Sequence, residues 1–106
     1  MKVVKTAYFI QQLDELSKTY RLVWQDFSVF SQDIRGNVSA DLWDWKYKCR
    51  YKNSSIPCGK SWWLRFIVFI RDEVCIPLLV YAKSIKTDVT KDEIKEAMRQ
   101  VLRELE

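Results

Sequence analysis

The chain has 106 residues, 48% hydrophobic and 14% aromatic, with two Gly and two Pro, a composition that fits one packed domain and excludes a low-complexity or disordered chain. Its net charge of +4 is unevenly spread: residues 46–71 hold Lys46, Lys48, Arg50, Lys52, Lys60, Arg65 and Arg71 and no acid, while the other eleven basic residues stand against fourteen acidic ones. A segment of +7 beside a remainder of −3 points to a polyanionic partner, most often nucleic acid.

The N-terminal stretch MKVVKTAYFIQQLDEL turns polar at once, so it does not read as a signal peptide, and no apolar run approaches the ~20 residues that span a bilayer. A cytoplasmic chain with no membrane partner is expected. Residues 2–6 are β-prone and predict a first strand. From Phe9 the apolar residues Phe9, Leu13, Leu16 and Tyr20 follow helical spacing, and Val23, Phe27, Phe30 and Ile34 follow it again. Helices over 8–20 and 22–35 are predicted, forming a hairpin that ends at Gly36-Asn37.

The period then changes from 3.6 to 2. Trp45, Tyr47, Cys49 and Tyr51 alternate with Lys46, Lys48, Arg50 and Lys52, which predicts a strand with an aromatic face and a cationic face. A solvated strand face usually mixes signs, and four cations at same-face spacing repel each other, so something should compensate them. Residues 53–60 collect Asn, Ser, Pro and Gly and predict a loop. Residues 62–70 are nearly all apolar and predict a central strand in which Arg65 is the sole charge. After a tight turn at 71–73, residues 74–83 predict a further strand, with Pro77 marking an edge or a bulge. Thr90 and Glu93 make a capping box, and Ile94, Ala97, Met98, Val101, Leu102 and Leu105 form the apolar stripe of a helix over 90–106. The predicted class is α+β: an antiparallel sheet with an N-terminal helical hairpin and a C-terminal helix gathered at one side, in the order β-α-α-β-β-β-α.

Three scattered cysteines, no histidine and no paired-carboxylate spacing leave a poor ligand set, so neither a metal nor a cofactor is expected. Cys58 has no histidine to activate it as a nucleophile, and an odd cysteine count without a secretion signal fits reduced thiols.

Three pieces resemble the RelE/ParE superfamily of toxins from type II toxin–antitoxin pairs, in particular its HigB-like RelE branch. Lys48-Cys49-Arg50 is similar to the branch's K-x-R. Gly59-Lys60-Ser61 followed by Arg65 is similar to its G-K-[SR]-G-G-x-R run. Leu78-Leu79-Val80-Tyr81-Ala82-Lys83-Ser84, with Asp88-Val89 and Glu93-Ile94 beyond, is similar to its L-L-x-x-Y-x-K segment. The chain departs from the pattern at Trp62-Trp63, where the branch has a Gly-Gly pair. The two rings would stack on bases or bury in the core, or they mark a relative without the ancestral activity.

The resemblance implies a metal-independent endoribonuclease (an mRNA interferase) that cleaves mRNA on the ribosome and is neutralised by a cognate antitoxin protein. In such cleavage the 2′-OH attacks the adjacent phosphorus and the 5′-oxygen leaves, which needs charge neutralisation and proton transfer. The candidate catalytic residues are Arg65, Lys83, Tyr81 and Lys48. The candidate RNA-binding residues are Lys46, Lys48, Arg50, Lys52, Lys60 and Arg65. Arg65 would hold the phosphate, or else pair with an acid such as Asp88. Tyr81 and Lys83 would bring a base-stacking ring and a proton-transfer amine together, with a half-buried sheet aromatic as the plainer account of Tyr81. The alternative is a non-catalytic RelE/ParE-like binder of nucleic acid or protein, either a gyrase inhibitor or an inactive toxin relative.

Overall fold

A computed structural model describes residues 1–57 and 62–106. The element order is β1 (Lys2–Val3), α1 (Ala7–Ser17), α2 (Val23–Phe30), a 3-10 turn (Arg35–Asn37), β2 (Val38–Asp41), β3 (Lys46–Lys52), β4 (Trp63–Arg71), β5 (Val74–Ala82) and α3 (Lys91–Leu105). The five strands form one sheet in the order β1-β5-β4-β3-β2. The class is α+β, as expected, but the sheet is mixed because β1 runs parallel to β5.

Local chemistry fixes the helix ends. Thr6 caps α1 by accepting from the Phe9 N–H, and Glu104 of α3 accepts from the Ala7 and Tyr8 N–H groups at 2.7 and 2.8 Å. α2 stops at Phe30, five residues before the expected end. Ile34 is only 3% exposed, so the helical apolar spacing runs on through a turn that is not a helix. The capping box at Thr90 and Glu93 is present in full.

β2 was not expected: its sequence VSAD is short and shows no alternation. Trp45 also departs from expectation. Asp44 and Trp45 both have positive φ, 47° and 65°, so they form the turn before β3 and the alternation begins at Lys46. Trp45 is 53% exposed and lies outside the strand's aromatic face.

Pro77 sits at a bulge, where the β4–β5 register shifts between Ile67 and Val68. β1 pairs only with Val74 and Cys75, which leaves the rest of that edge of β5 without a strand. Gln12 of α1 takes the strand's place, donating to the Leu78 carbonyl at 3.0 Å and accepting from the Val80 N–H at 3.1 Å. One side chain thereby satisfies a buried acceptor and a buried donor.

Helices cover both faces of the sheet, and not one side as expected. α1 and α2 bury Phe9, Leu13, Phe27 and Phe30 against Cys49, Leu64, Phe66 and Val68. α3 buries Ile94, Ala97 and Val101 against Ile67, Ile76 and Leu78 on the opposite face. No helix is long and apolar enough to cross a membrane among the described residues.

The β4–β5 hairpin turns through Asp72 and Glu73, both with positive φ (52° and 61°). That conformation costs an L-residue roughly 1 kcal/mol, and glycine adopts it freely. Among the described residues the Glu73 carboxylate makes only an exposed ion pair with Arg35 at 3.3 Å, worth little. Glu73→Gly is therefore expected to stabilise the protein by about 0.5–1 kcal/mol, raising Tm by roughly 2–6 °C in a thermal melt.

Candidate nucleic-acid interface

Register places the predicted residues. On the α3 face of the sheet, Arg50 of β3 pairs with Arg65 of β4, and Arg65 pairs with Tyr81 of β5. One row along, Lys48 pairs with Ile67, and on the other side Lys52 pairs with Trp63. The Lys83 N–H bonds the Trp63 carbonyl at 3.0 Å, so Lys83 continues that last row just beyond β5. Strands lie ~4.8 Å apart and same-face residues ~7 Å apart. Lys48, Arg50, Lys52, Arg65, Tyr81 and Lys83 thus share one patch. The apolar face of α3 packs on Ile67, Ile76 and Leu78, away from the Arg50–Arg65 row. Lys60 and the Gly59-Lys60-Ser61 motif lie outside the described residues, as does Cys58.

The four cations of β3 are compensated in four different ways. Lys46 is 8% exposed, with its ammonium 5.4 Å from the centre of the Trp43 ring. The structure therefore corrects its placement among solvent-facing RNA contacts: an aromatic face takes the charge. Lys48 donates to Asp88 at 3.0 Å. The Arg50 guanidinium lies 4.8 Å from the centre of the Trp63 ring. Lys52 is exposed.

Arg65 stands apart. It faces Arg50 directly across the β3–β4 ladder, an arrangement of like charges that is destabilising. Its Nη1 is buried and has no hydrogen-bond acceptor among the described residues. The Asp88 carboxylate, the partner weighed for it, goes instead to Lys48 and to the Tyr81 hydroxyl at 3.4 Å. A buried guanidinium N–H without an acceptor, in a residue paired across the ladder with a second arginine, is costly to the fold.

Tyr81 is 7% exposed, so its ring packs in the sheet and only the phenol oxygen serves the patch. Burial and the neighbouring Asp88 carboxylate push its pKa up to about 12. Asp88 is held below the usual carboxylate range, chiefly by the hydrogen bond from Lys48 and then by the Val89 N–H. At neutral pH the patch thus holds a firm proton donor 3.4 Å from an ionised carboxylate.

These shifts set a pH dependence. Below pH 10 the Tyr81 phenol is protonated in both folded and unfolded chains, and its contribution to stability is complete. Between pH 10 and about 12 the unfolded chain loses that proton first, so stability falls. The alkaline loss should be larger in the wild type than in Tyr81→Phe, by on the order of 2 kcal/mol in denaturant titrations at pH 9 and pH 12. At the acid end, Asp88 contributes above its unfolded pKa and stops doing so as pH falls through its lower folded value.

Trp62 and Trp63 are half-buried, with ring centres 5.1 Å apart, and among the described residues neither belongs to a core cluster. Arg50 and Trp63 also form one wall of a groove of about 590 Å³, closed on the other side by Gly36, Asn37, Val38 and Ser39. Cys49 and Cys75 are free and buried, and burial pushes both thiols up to about 12, which makes them inert. Among the described residues no cluster of His, Cys, Asp or Glu could hold a metal ion.

Sequence reasoning missed Trp43 as the cover of Lys46 and Asp88 as the partner of Lys48. Trp43 adjoins a strand whose presence was not legible. Asp88 lies 40 residues from Lys48, and only the sheet register brings them together. Fold and patch together define an α+β domain with a cationic sheet face. No family model, curated protein or solved structure matches this chain.

Proposed function

We propose that this protein is a RelE-like toxin of a type II toxin–antitoxin pair, a ribosome-dependent mRNA endonuclease acting in the cytoplasm. The observation that carries the reading is the buried, acceptor-less Nη1 of Arg65 directly opposite Arg50. A phosphodiester between the two arginines would satisfy both and relieve their repulsion. The same two groups then neutralise the phosphorane formed when the 2′-OH attacks phosphorus. The Tyr81 phenol is the proton donor for the departing 5′-oxygen. The Asp88 carboxylate, held by Lys48, is the acceptor for the 2′-OH proton, and Lys83 and Lys52 extend the field along the RNA. A cognate antitoxin would silence the site by laying acidic side chains over the arginines.

The test is cleavage by the purified protein on translating ribosomes. The expected products carry 2′,3′-cyclic phosphate and 5′-hydroxyl ends, and their yield should not change on adding a metal chelator. A second reading, a non-catalytic binder, is favoured by the Trp62-Trp63 pair standing where the resemblance calls for two glycines. It predicts RNA or protein binding with intact mRNA.

A further inference from the structure

Apart from Arg50, the groove beside the arginine pair takes no part in phosphate cleavage, yet its volume falls in the range of sites that enclose small ligands. Its walls come from three separate stretches: the 3-10 turn with the start of β2, the β3 residue Arg50, and the β4 residue Trp63. Trp63 backs the Arg50 guanidinium at 4.8 Å, while Arg50 itself is exposed. A guanidinium supported on one face by an indole offers its other face as a flat, cationic platform, and nucleobases stack on such planes.

The opposite wall is polar. The Ser39 hydroxyl donates to the Lys48 carbonyl at 3.2 Å and keeps its acceptor lone pairs. The Asn37 amide gives a proton to the Asp33 carbonyl at 2.7 Å and retains its oxygen. The turn that carries them is fixed by a bond from the Gly36 N–H to Asp33 Oδ1 at 3.1 Å. An added Cβ at Gly36 would fall 2.3 Å from Asp33 Oδ2. Stacking platform and hydrogen-bonding wall face each other across the groove, one strand away from Arg65.

We propose that this groove is a nucleobase subsite: a base of single-stranded RNA stacks on the Arg50–Trp63 pair while its phosphate lies on Arg65. The proposal rests on the RNA-cleaving reading and adds to it the part of the substrate that is gripped outside the scissile phosphate. It also gives Trp63 a role that glycine could not fill.

The experiment compares two fluorescent oligonucleotides of eight residues by anisotropy at one fixed salt concentration. One is 2′-O-methyl RNA, which cannot be cleaved, and the other is a fully abasic phosphodiester of equal charge. The wild type should bind the RNA about tenfold more tightly than the abasic chain. Trp63→Leu should erase most of that preference, and Ser39→Ala should reduce it, each changing abasic binding less than about twofold. Ser39 is exposed and lies outside the phosphate site, so Ser39→Ala tests the groove even where Trp63→Leu does not fold. Equal wild-type affinity for both oligonucleotides, or variants that weaken both in parallel, overturns the base subsite and leaves the phosphate site standing. A wild type that binds neither overturns the RNA reading and the subsite together.

Discussion

Phe30→Ala should cost about 3–5 kcal/mol, the largest stability loss expected from a single change in this protein. Phe30 is fully buried and stacks on Phe66, with ring centres 4.2 Å apart and planes 8° from parallel. It also touches Phe27 and Tyr51, so one ring joins α2 to both β3 and β4. Removing it opens a cavity between two elements that the rigid sheet cannot close. A domain of this size is stable by only ~5–15 kcal/mol, so the variant should sit close to its folding threshold. Its Tm should fall by at least roughly 12 °C, and Phe30→Leu should recover more than half of the loss. A change of less than about 1 kcal/mol in denaturant titration would contradict this account of the core.

Arg65→Met should have the opposite signature: function lost and stability kept or raised. The wild-type side chain leaves a buried N–H without an acceptor, which costs about 1–3 kcal/mol. It also faces Arg50 directly across the ladder. Methionine fills similar volume and removes both penalties, so the melting temperature should hold or rise by a few degrees. If Arg65 neutralises the phosphorane, cleavage should drop by about 10²–10³-fold, the usual effect of deleting one such donor. Arg65→Lys should rescue little, because an ammonium cannot make the bidentate contact. Stability and activity moving in opposite directions would separate a site residue from a packing residue.

The cationic face of β3 was legible because strand period is local: Lys48, Arg50 and Lys52 lie on one face, as the alternation requires. Arg65 stood out for a similar reason, as a lone charge in an apolar strand. What the alternation could not reveal is the fate of each cation, since Trp43, Asp88 and Trp63 reach β3 from other parts of the chain. The start of that pattern was misjudged at Trp45 because a positive-φ turn can be followed by a residue in phase with the strand. Ile34 misled in the same way, keeping the helical period after the helix had ended. Pro77 signalled the bulge correctly, because its missing N–H limits where a strand can place it. Gln12 gave no signal at all: amides on a polar helix face are common, and only the shortness of β1 turns this one into a substitute strand.

The central claim is that the opposed arginines form a phosphate site that stops translation. The most direct measurement is induced expression in a bacterial host, wild type beside Arg65→Met, following growth and incorporation of labelled amino acids. The account predicts growth arrest with a rapid fall in incorporation for the wild type, and normal growth with equal amounts of folded Arg65→Met protein. Unimpaired growth and incorporation with soluble, folded wild-type protein, or arrest that persists unchanged in Arg65→Met, would contradict it.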